Sequence, residues 1–420
     1  MTAAAIAADK ISYTDLYERW EKANWRATEI DFSEDRRQWH EVFSAHERRA
    51  ALWNYSLFFH GEDSVAENLS PYIDAAPREE QRYFLATQQV DEARHAVLFG
   101  RFMREVAAVG ADSYGAALDA TRPELTWGFR KTFERLDRMA DELRRDRSKP
   151  KLAAAVTLYH LVVEATLAQP GQHFIEGYLT ERDILPGFRE GMGHVSNDEQ
   201  RHIAFGVKLI SDLVREDPEC KDAIGELLRE VIPVTAAVFV PPGWDESYVS
   251  CFGATLEDVY EQAATALDFR LRAAGIEPEE LRIPLDTDLP PRERARRGLA
   301  LLRANYLGER LGEVSRSHDD LALFFDGVER SVNHAHVPAG GATIQWEFTD
   351  AEPWHLRIDN GATRAEAGRL EAPDLTFRCR LEDWIALSAG REDPRRLLLT
   401  RRIRPKGSLR LLARMPKIFR

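Results

Sequence analysis

Two near-identical pentapeptides carry the residues best suited to chemistry: Asp91-Glu92-Ala93-Arg94-His95 and Asp198-Glu199-Gln200-Arg201-His202. Each contains Glu-x-x-His. Residues three apart on a helix share a face, so Glu92 with His95, and Glu199 with His202, can point at one ion together. A lone glutamate in an apolar, helix-like stretch precedes each motif: Glu62 before the first and Glu164 before the second. Four carboxylates and two imidazoles repeated this way are a ligand set for two metal ions in a four-helix bundle. The lone glutamates are expected to complete the set and bridge the ions. Carboxylate with imidazole suits iron or manganese, as an Fe/Fe or Mn/Fe pair. No thiol falls in the motifs, which argues against structural zinc. Such a site, with dioxygen as co-substrate, implies an oxidase or oxygenase.

A single Glu-x-x-His on a helix is more often a solvated face than a ligand pair. Two copies, each within Asp-Glu-x-Arg-His and each with an upstream glutamate, are much harder to obtain by chance. The aspartates have a task of their own. A ligating histidine usually donates its other ring N–H to a carboxylate, a carbonyl or water. The approximate two-fold of the repeat assigns Asp198 to His95 and Asp91 to His202. Arg94 and Arg201 are expected to neutralise part of the charge.

The elements that position these groups read as helices. Glu41–Tyr72, Arg78–Val109, Leu152–Gln169 and Phe188–Val214 show apolar residues recurring every three to four. They carry, in order, lone Glu, Glu-x-x-His, lone Glu, Glu-x-x-His, as if a helix pair had been duplicated. Pro123–Arg147 is heavily charged and reads as peripheral, and a further helix is expected over Leu256–Ala274. Ala168 is small, and Pro170-Gly171 follows at once. That combination predicts either a kink that opens space beside Glu164 or the end of the helix.

Composition shifts near Gly275–Pro291, where four prolines stand among acidic residues, as in a linker. Beyond it lie a helix-like Glu293–Leu311, strand-like runs at Thr343–Phe348, Trp354–Asp359 and Asp374–Cys379, a turn at Asn360-Gly361, and a short helix over Glu382–Ala389. A smaller α+β domain is expected there. At 420 residues, 44% hydrophobic and 30% charged, the chain has the proportions of a globular protein of one to three domains. A net charge of −13 disfavours nucleic-acid binding. Met1–Ala8 lacks a basic start and reads poorly as a signal peptide. The longest apolar run, around Val231–Val240, is too short to span a bilayer. Three scattered cysteines fit a reducing cytoplasm.

The order and spacing of the six candidate ligands resemble the ferritin-like superfamily, in its ribonucleotide reductase small-subunit branch, over roughly 35–275. Phe99 occupies the place of the radical-bearing tyrosine of standard small subunits, and Ala168 replaces a bulky aromatic. Val65 lies three after Glu62, and Tyr159 five before Glu164. This combination resembles the small-subunit-like ligand-binding oxidases. The resemblance implies a mainly α, four-helix di-metal domain over 1–280, with Glu62, Glu92, His95, Glu164, Glu199 and His202 as ligands. It implies a Mn/Fe or Fe/Fe centre, a fatty-acid-like ligand near Phe99 and Ala168, and a Tyr159–Val65 cross-link. A hydrophobic or acyl-bearing substrate, an external electron donor and a homodimer are expected with it.

The rest of the chain is similar to sterol carrier protein-like α+β domains. The resemblance rests on Trp354-His-Leu-Arg-Ile-Asp-Asn-Gly361, Asp374-Leu-Thr-Phe377, Glu382–Gly390, Asp393-Pro394 and Lys406-Gly407. It assigns 281–420 to that domain, with 281–295 as the linker. Two other readings stand beside an oxidase of this kind. Di-iron N-oxygenases that act on amines add a seventh ligand, a histidine, where this chain has Val195, with His194 one position off. The other is a non-catalytic metal- and lipid-binding protein: a metal store would not need the second domain, and a lipid carrier would not need six matched ligands. The basic residues from Arg395 to Arg420 read as the solvated face of an amphipathic closing helix, or as a peripheral contact with anionic lipid.

Overall fold

Ser44 starts the first long helix. Its hydroxyl accepts the Glu47 N–H at 3.1 Å, and Glu47 Oε2 accepts the Ser44 N–H at 2.8 Å. This reciprocal cap satisfies two otherwise orphaned donors. The helix, α1, runs Ala45–Asn68. It is followed by α2 (Glu79–Arg101), α3 (Lys149–Arg182) and α4 (Pro186–Glu216). The start of α4 is capped from outside. Leu185 has a left-handed backbone, and Asp35 accepts the Gly187 and Phe188 N–H groups at 2.9 and 2.7 Å. The structure is a computed structural model, and it describes residues 11–281, 283, 286–359 and 361–419. The Met1–Ala8 segment, Pro284 and Asn360 of the expected turn lie outside the described residues.

Helix α3 settles the fate of Pro170-Gly171. The helix neither ends nor breaks there. Thr157–Ala168 widens into π-helix, and the Gln169 N–H reaches back five residues to the Glu164 carbonyl. The wider register accommodates a proline that has no N–H to give to the residue four back. Gly171 faces Phe58; a Cβ there would meet its ring at 3.0 Å. Among the described residues this helix is also the one long and apolar enough to cross a bilayer, but 83% of its apolar window is buried, as in a core helix. The Val231–Val240 run is therefore not the most apolar element, and the helix Glu219–Thr235 stops within it. Trp127–Arg145 is amphipathic, burying Phe133, Leu136, Met139 and Leu143 instead of lying loosely on the surface.

The chain divides into two compact units. One takes the chain up to Leu227 with Val238–Pro278; the other takes Leu228–Ala237 and Glu279–Arg420. The first unit is helical. In the second, β1 (Ala342–Phe348), β2 (Trp354–Asp359), β3 (Ala362–Ala367), β4 (Leu375–Cys379) and β5 (Arg404–Gly407) form one sheet of order β3-β2-β1-β4-β5. The β1–β4 pair is parallel and the others are antiparallel. Trp346 is paired with Trp354 on one side and Phe377 on the other, and Phe325 stacks on Trp354 at 4.7 Å. Each such buried aromatic contributes on the order of 2 kcal/mol.

Several boundaries differ from expectation. A helix begins at Pro291, inside the segment read as linker, and ends at Arg303 instead of reaching Leu311. The residues after it are held irregular by Arg391, which donates to the carbonyls of Asn305, Leu307 and Gly308. The basic tail is not one helix. It comprises the helix Pro394–Leu399, then β5, then the amphipathic helix Leu409–Ile418.

Candidate metal centre

The six candidate ligands, one or two from each of α1 to α4, converge in the interior of the first unit. Glu62, Glu92, His95, Glu164, Glu199 and His202 are all buried. They fall into two overlapping groups. Glu62, Glu92, His95 and Glu199 form one; Glu92, Glu164, Glu199 and His202 form the other; within each group the ligand atoms lie within 4.8 Å of one another. The shared members are Glu92 and Glu199. Glu62 and Glu164, the lone glutamates expected to bridge, each belong to one group only. The two motif helices carry the carboxylates that reach the middle.

The histidines are oriented alike. His95 Nδ1 lies 3.3 Å from Glu62, 3.5 Å from Glu92 and 3.5 Å from Glu199. His202 Nδ1 lies 3.2 Å from Glu92, 3.6 Å from Glu164 and 3.7 Å from Glu199. The other nitrogens point outward: His95 Nε2 is 3.2 Å from Asp198, and His202 Nε2 is 3.2 Å from Asp91. The crossed pairing expected from the repeat is the geometry present. It turns Nδ1 of each ring toward the candidate carboxylates, where an ion would sit.

Arginine serves the aspartates, not the glutamates. Arg201 bridges Asp91 at 3.1 Å and Asp198 at 2.7 Å, and Arg94 reaches Asp91 at 3.0 Å. The glutamates thus keep their charge problem. Two tryptophans complete the outer layer: Trp20 Nε1 donates to Asp91 and Trp25 Nε1 to Asp198, both at 2.9 Å. Nothing in motif spacing links these residues to the site. His194, the near-miss for a seventh ligand, stacks on Trp25 at 4.9 Å and is absent from both groups.

Electrostatics say what the cluster lacks. Burial pushes Glu62 up to about 8 and raises Glu164 well above the ordinary range; Glu199 is raised too, by burial and then by Glu92. Burial also opposes ionisation of Glu92, but His202 and His95 outweigh it and hold the carboxyl low. Four carboxylates in a dry site are poorly compensated by two imidazoles. Among the described residues Glu164 Oε2 and Glu199 Oε2 have no hydrogen-bond partner, and His202 Nδ1 has none of good geometry. Orphaned oxygens and an imidazole nitrogen are hard-to-borderline donors, and they fit two divalent cations of the iron or manganese kind. The buried cluster is able to bind two metal ions.

The four carboxylates line a cavity enclosing about 990 Å³ of empty space, part of it open to solvent. Its walls are apolar, with Leu57, Phe58, Phe133, Val163 and Phe174 among them, and its lining has no lysine, arginine or histidine. Val65, Ala168 and Gly171 line it. Phe99 does not. It lies behind Phe58, stacked on it at 5.7 Å, because α2 turns that position toward Phe188. Tyr159 is also absent from the wall; its hydroxyl donates to Glu92 at 2.6 Å. Sequence reasoning missed Gln88 and His160, which meet at 3.1 Å beside this tyrosine. Each stands one turn before a candidate ligand, a spacing that was available to read.

Residues 6–238, more than half of the chain, match the ribonucleotide reductase small-chain model. The chain belongs to the ribonucleotide reductase small-chain family. Residues 329–420 match the SCP-2 sterol transfer family and form its α+β domain. Among solved structures, this family member is similar to the R2-like ligand-binding oxidase of Sulfolobus acidocaldarius: 27% identity, TM-score 0.52, over 64% of this chain and 93% of that one. It is likewise similar to a variant of an R2-like ligand-binding oxidase with an anaerobically reconstituted Mn/Fe cofactor: 25% identity, TM-score 0.53, over 64% of this chain and 94% of that one.

Proposed function

We propose that the first unit is a dioxygen-activating di-metal oxidase whose substrate is a hydrophobic or acyl-bearing molecule held in the apolar cavity. The observation that carries this reading is the pair of overlapping carboxylate–imidazole groups opening on that cavity. Glu62, Glu92, His95 and Glu199 would hold one ion, and Glu92, Glu164, Glu199 and His202 the other. The bound pair, Mn/Fe or Fe/Fe by likeness to the oxidases, supplies the two-electron oxidising power toward dioxygen. Asp198 and Asp91 fix the imidazole tautomers, and Arg201 ties the two aspartates together. The apolar walls of the cavity would present a substrate C–H bond to the carboxylates. An external donor returns the electrons.

Tyr159 and Val65 support a self-oxidation at the same site. The phenol is already hydrogen-bonded to Glu92, which can accept its proton. Forming a Tyr159 O–Val65 carbon bond breaks the phenolic O–H and one C–H bond. Dioxygen takes the two electrons and two protons. The SCP-2 domain supports a lipid-like substrate, and free Cys220, Cys251 and Cys379 support a reducing compartment. The N-oxygenase reading loses ground because His194 is committed to Trp25. Proteolysis and mass spectrometry of protein matured aerobically with iron and manganese tests the self-oxidation. The expected product is a joined Val65–Tyr159 peptide pair lighter by two hydrogens; unlinked peptides alone would remove that part of the proposal.

A further inference from the structure

We infer that Gln88, with its amide locked by His160, is the positioning residue that decides which Glu164 oxygen is left for metal and holds the Tyr159 hydroxyl toward Glu92. The inference rests on the di-metal reading above, and it concerns residues that bind no ion themselves.

The geometry is a short relay. Gln88 Nε2 lies 2.8 Å from Glu164 Oε1 and 3.2 Å from the Tyr159 hydroxyl oxygen. On its other side Gln88 Oε1 lies 3.1 Å from His160 Nε2. A carboxylate oxygen accepts, so the amide nitrogen must face Glu164. The amide oxygen then faces His160 Nε2, and this contact is a hydrogen bond in the tautomer that carries the hydrogen there. With Glu164 ionised, as it would be when holding metal, a flipped amide would set oxygen against carboxylate. With Oε1 of Glu164 taken, Oε2 is the atom without a partner. Because Gln88 donates to the phenol oxygen, that oxygen's own hydrogen is free to point at Glu92, at 2.6 Å.

The relay is built into the helices. Gln88 stands one turn before Glu92 on α2, and His160 one turn before Glu164 within the widened stretch of α3. Both are fully buried. The imidazole fits because α4 has Gly206 opposite: a Cβ there would lie 2.3 Å from the His160 Cβ. Burial keeps His160 neutral, so one ring nitrogen carries a hydrogen to give and the other does not. A packing role alone would not need an amide here, since an apolar side chain of equal length fills the same space.

The test is anaerobic titration of the full-length protein with Fe(II) or Mn(II), read as affinity against a chelating dye, with the melting temperature of each variant recorded. Loss of such outer partners typically weakens metal binding about ten- to a hundredfold. Gln88→Met and Gln88→Glu are expected to show that loss, the second because a carboxylate keeps the shape but cannot donate to Glu164. His160→Phe is expected to show it as well. His160→Gln, which keeps an N–H donor toward Gln88, is expected to stay within about threefold of wild type, since it preserves the hydrogen bond. Equal affinities in wild type, Gln88→Met and Gln88→Glu would overturn the inference while leaving the di-metal reading intact. A wild type that takes up no metal would overturn both. If a variant melts far below wild type, the His160→Gln rescue decides: no rescue means that the residues merely pack.

Discussion

Tyr159 donates its phenolic hydrogen to Glu92 Oε1 at 2.6 Å, and Glu92 belongs to both groups of candidate ligands. A buried phenol is thus coupled to one of the two carboxylates that both ions would share. Burial, then the neighbouring Glu92 and Glu164 charges, raise its pKa well above the ordinary value.

Replacing Tyr159 by Phe removes that donor and little volume. The joined Val65–Tyr159 peptide is expected to vanish while two metals still bind per chain. Elemental analysis and peptide mass spectrometry on the same sample check both halves.

The crossed aspartates carry a second expectation. Asp198→Asn and Asp91→Asn each exchange a carboxylate that orients an imidazole for a neutral amide. Metal affinity is expected to fall about ten- to a hundredfold in each. Isothermal titration under nitrogen measures it, and unchanged affinity in both variants would show that His95 and His202 are held some other way.

Gly206→Ala introduces a methyl group where His160 leaves no room. Overpacking of this kind costs about 1–3 kcal/mol. Urea denaturation is expected to show that loss, with the midpoint lowered and the slope retained.

Much of this was legible in the residues because helical spacing is strict. Glu-x-x-His twice, each with an upstream glutamate, located the groups that converge, and the repeat located the crossed aspartates. That Glu92 and Glu199 are common to both groups was not legible, because spacing says which residues share a face, not which reach furthest between four axes. Trp20 and Trp25 escaped notice because they reach the site from a separate segment. In the second unit β3 was unreadable: Ala362–Ala367 is an edge strand, mostly in solvent, without apolar alternation. So was β5, four residues around Pro405, which an edge strand tolerates.

Glu47 gives a pH dependence. Burial raises its pKa, but the Ser44 backbone N–H and Arg182 outweigh this and lower it from 4.5 to about 2. A depressed carboxylate stabilises the fold above its unfolded pKa and loses that contribution as pH falls through the folded one. Glu47→Gln is therefore expected to cost about 1 kcal/mol near neutrality, with the difference from wild type disappearing toward pH 2. Thermal melts across pH 2–7 follow it.

Oxygen uptake tests the central claim most directly. Protein loaded anaerobically with ferrous iron, alone or with manganese, is mixed with aerated buffer at an oxygen electrode. Uptake in proportion to the occupied sites, and its loss in Glu199→Ala, is the predicted result. A metal-loaded wild type that consumes no more oxygen than Glu199→Ala would contradict an oxidase and leave a metal-binding protein in its place.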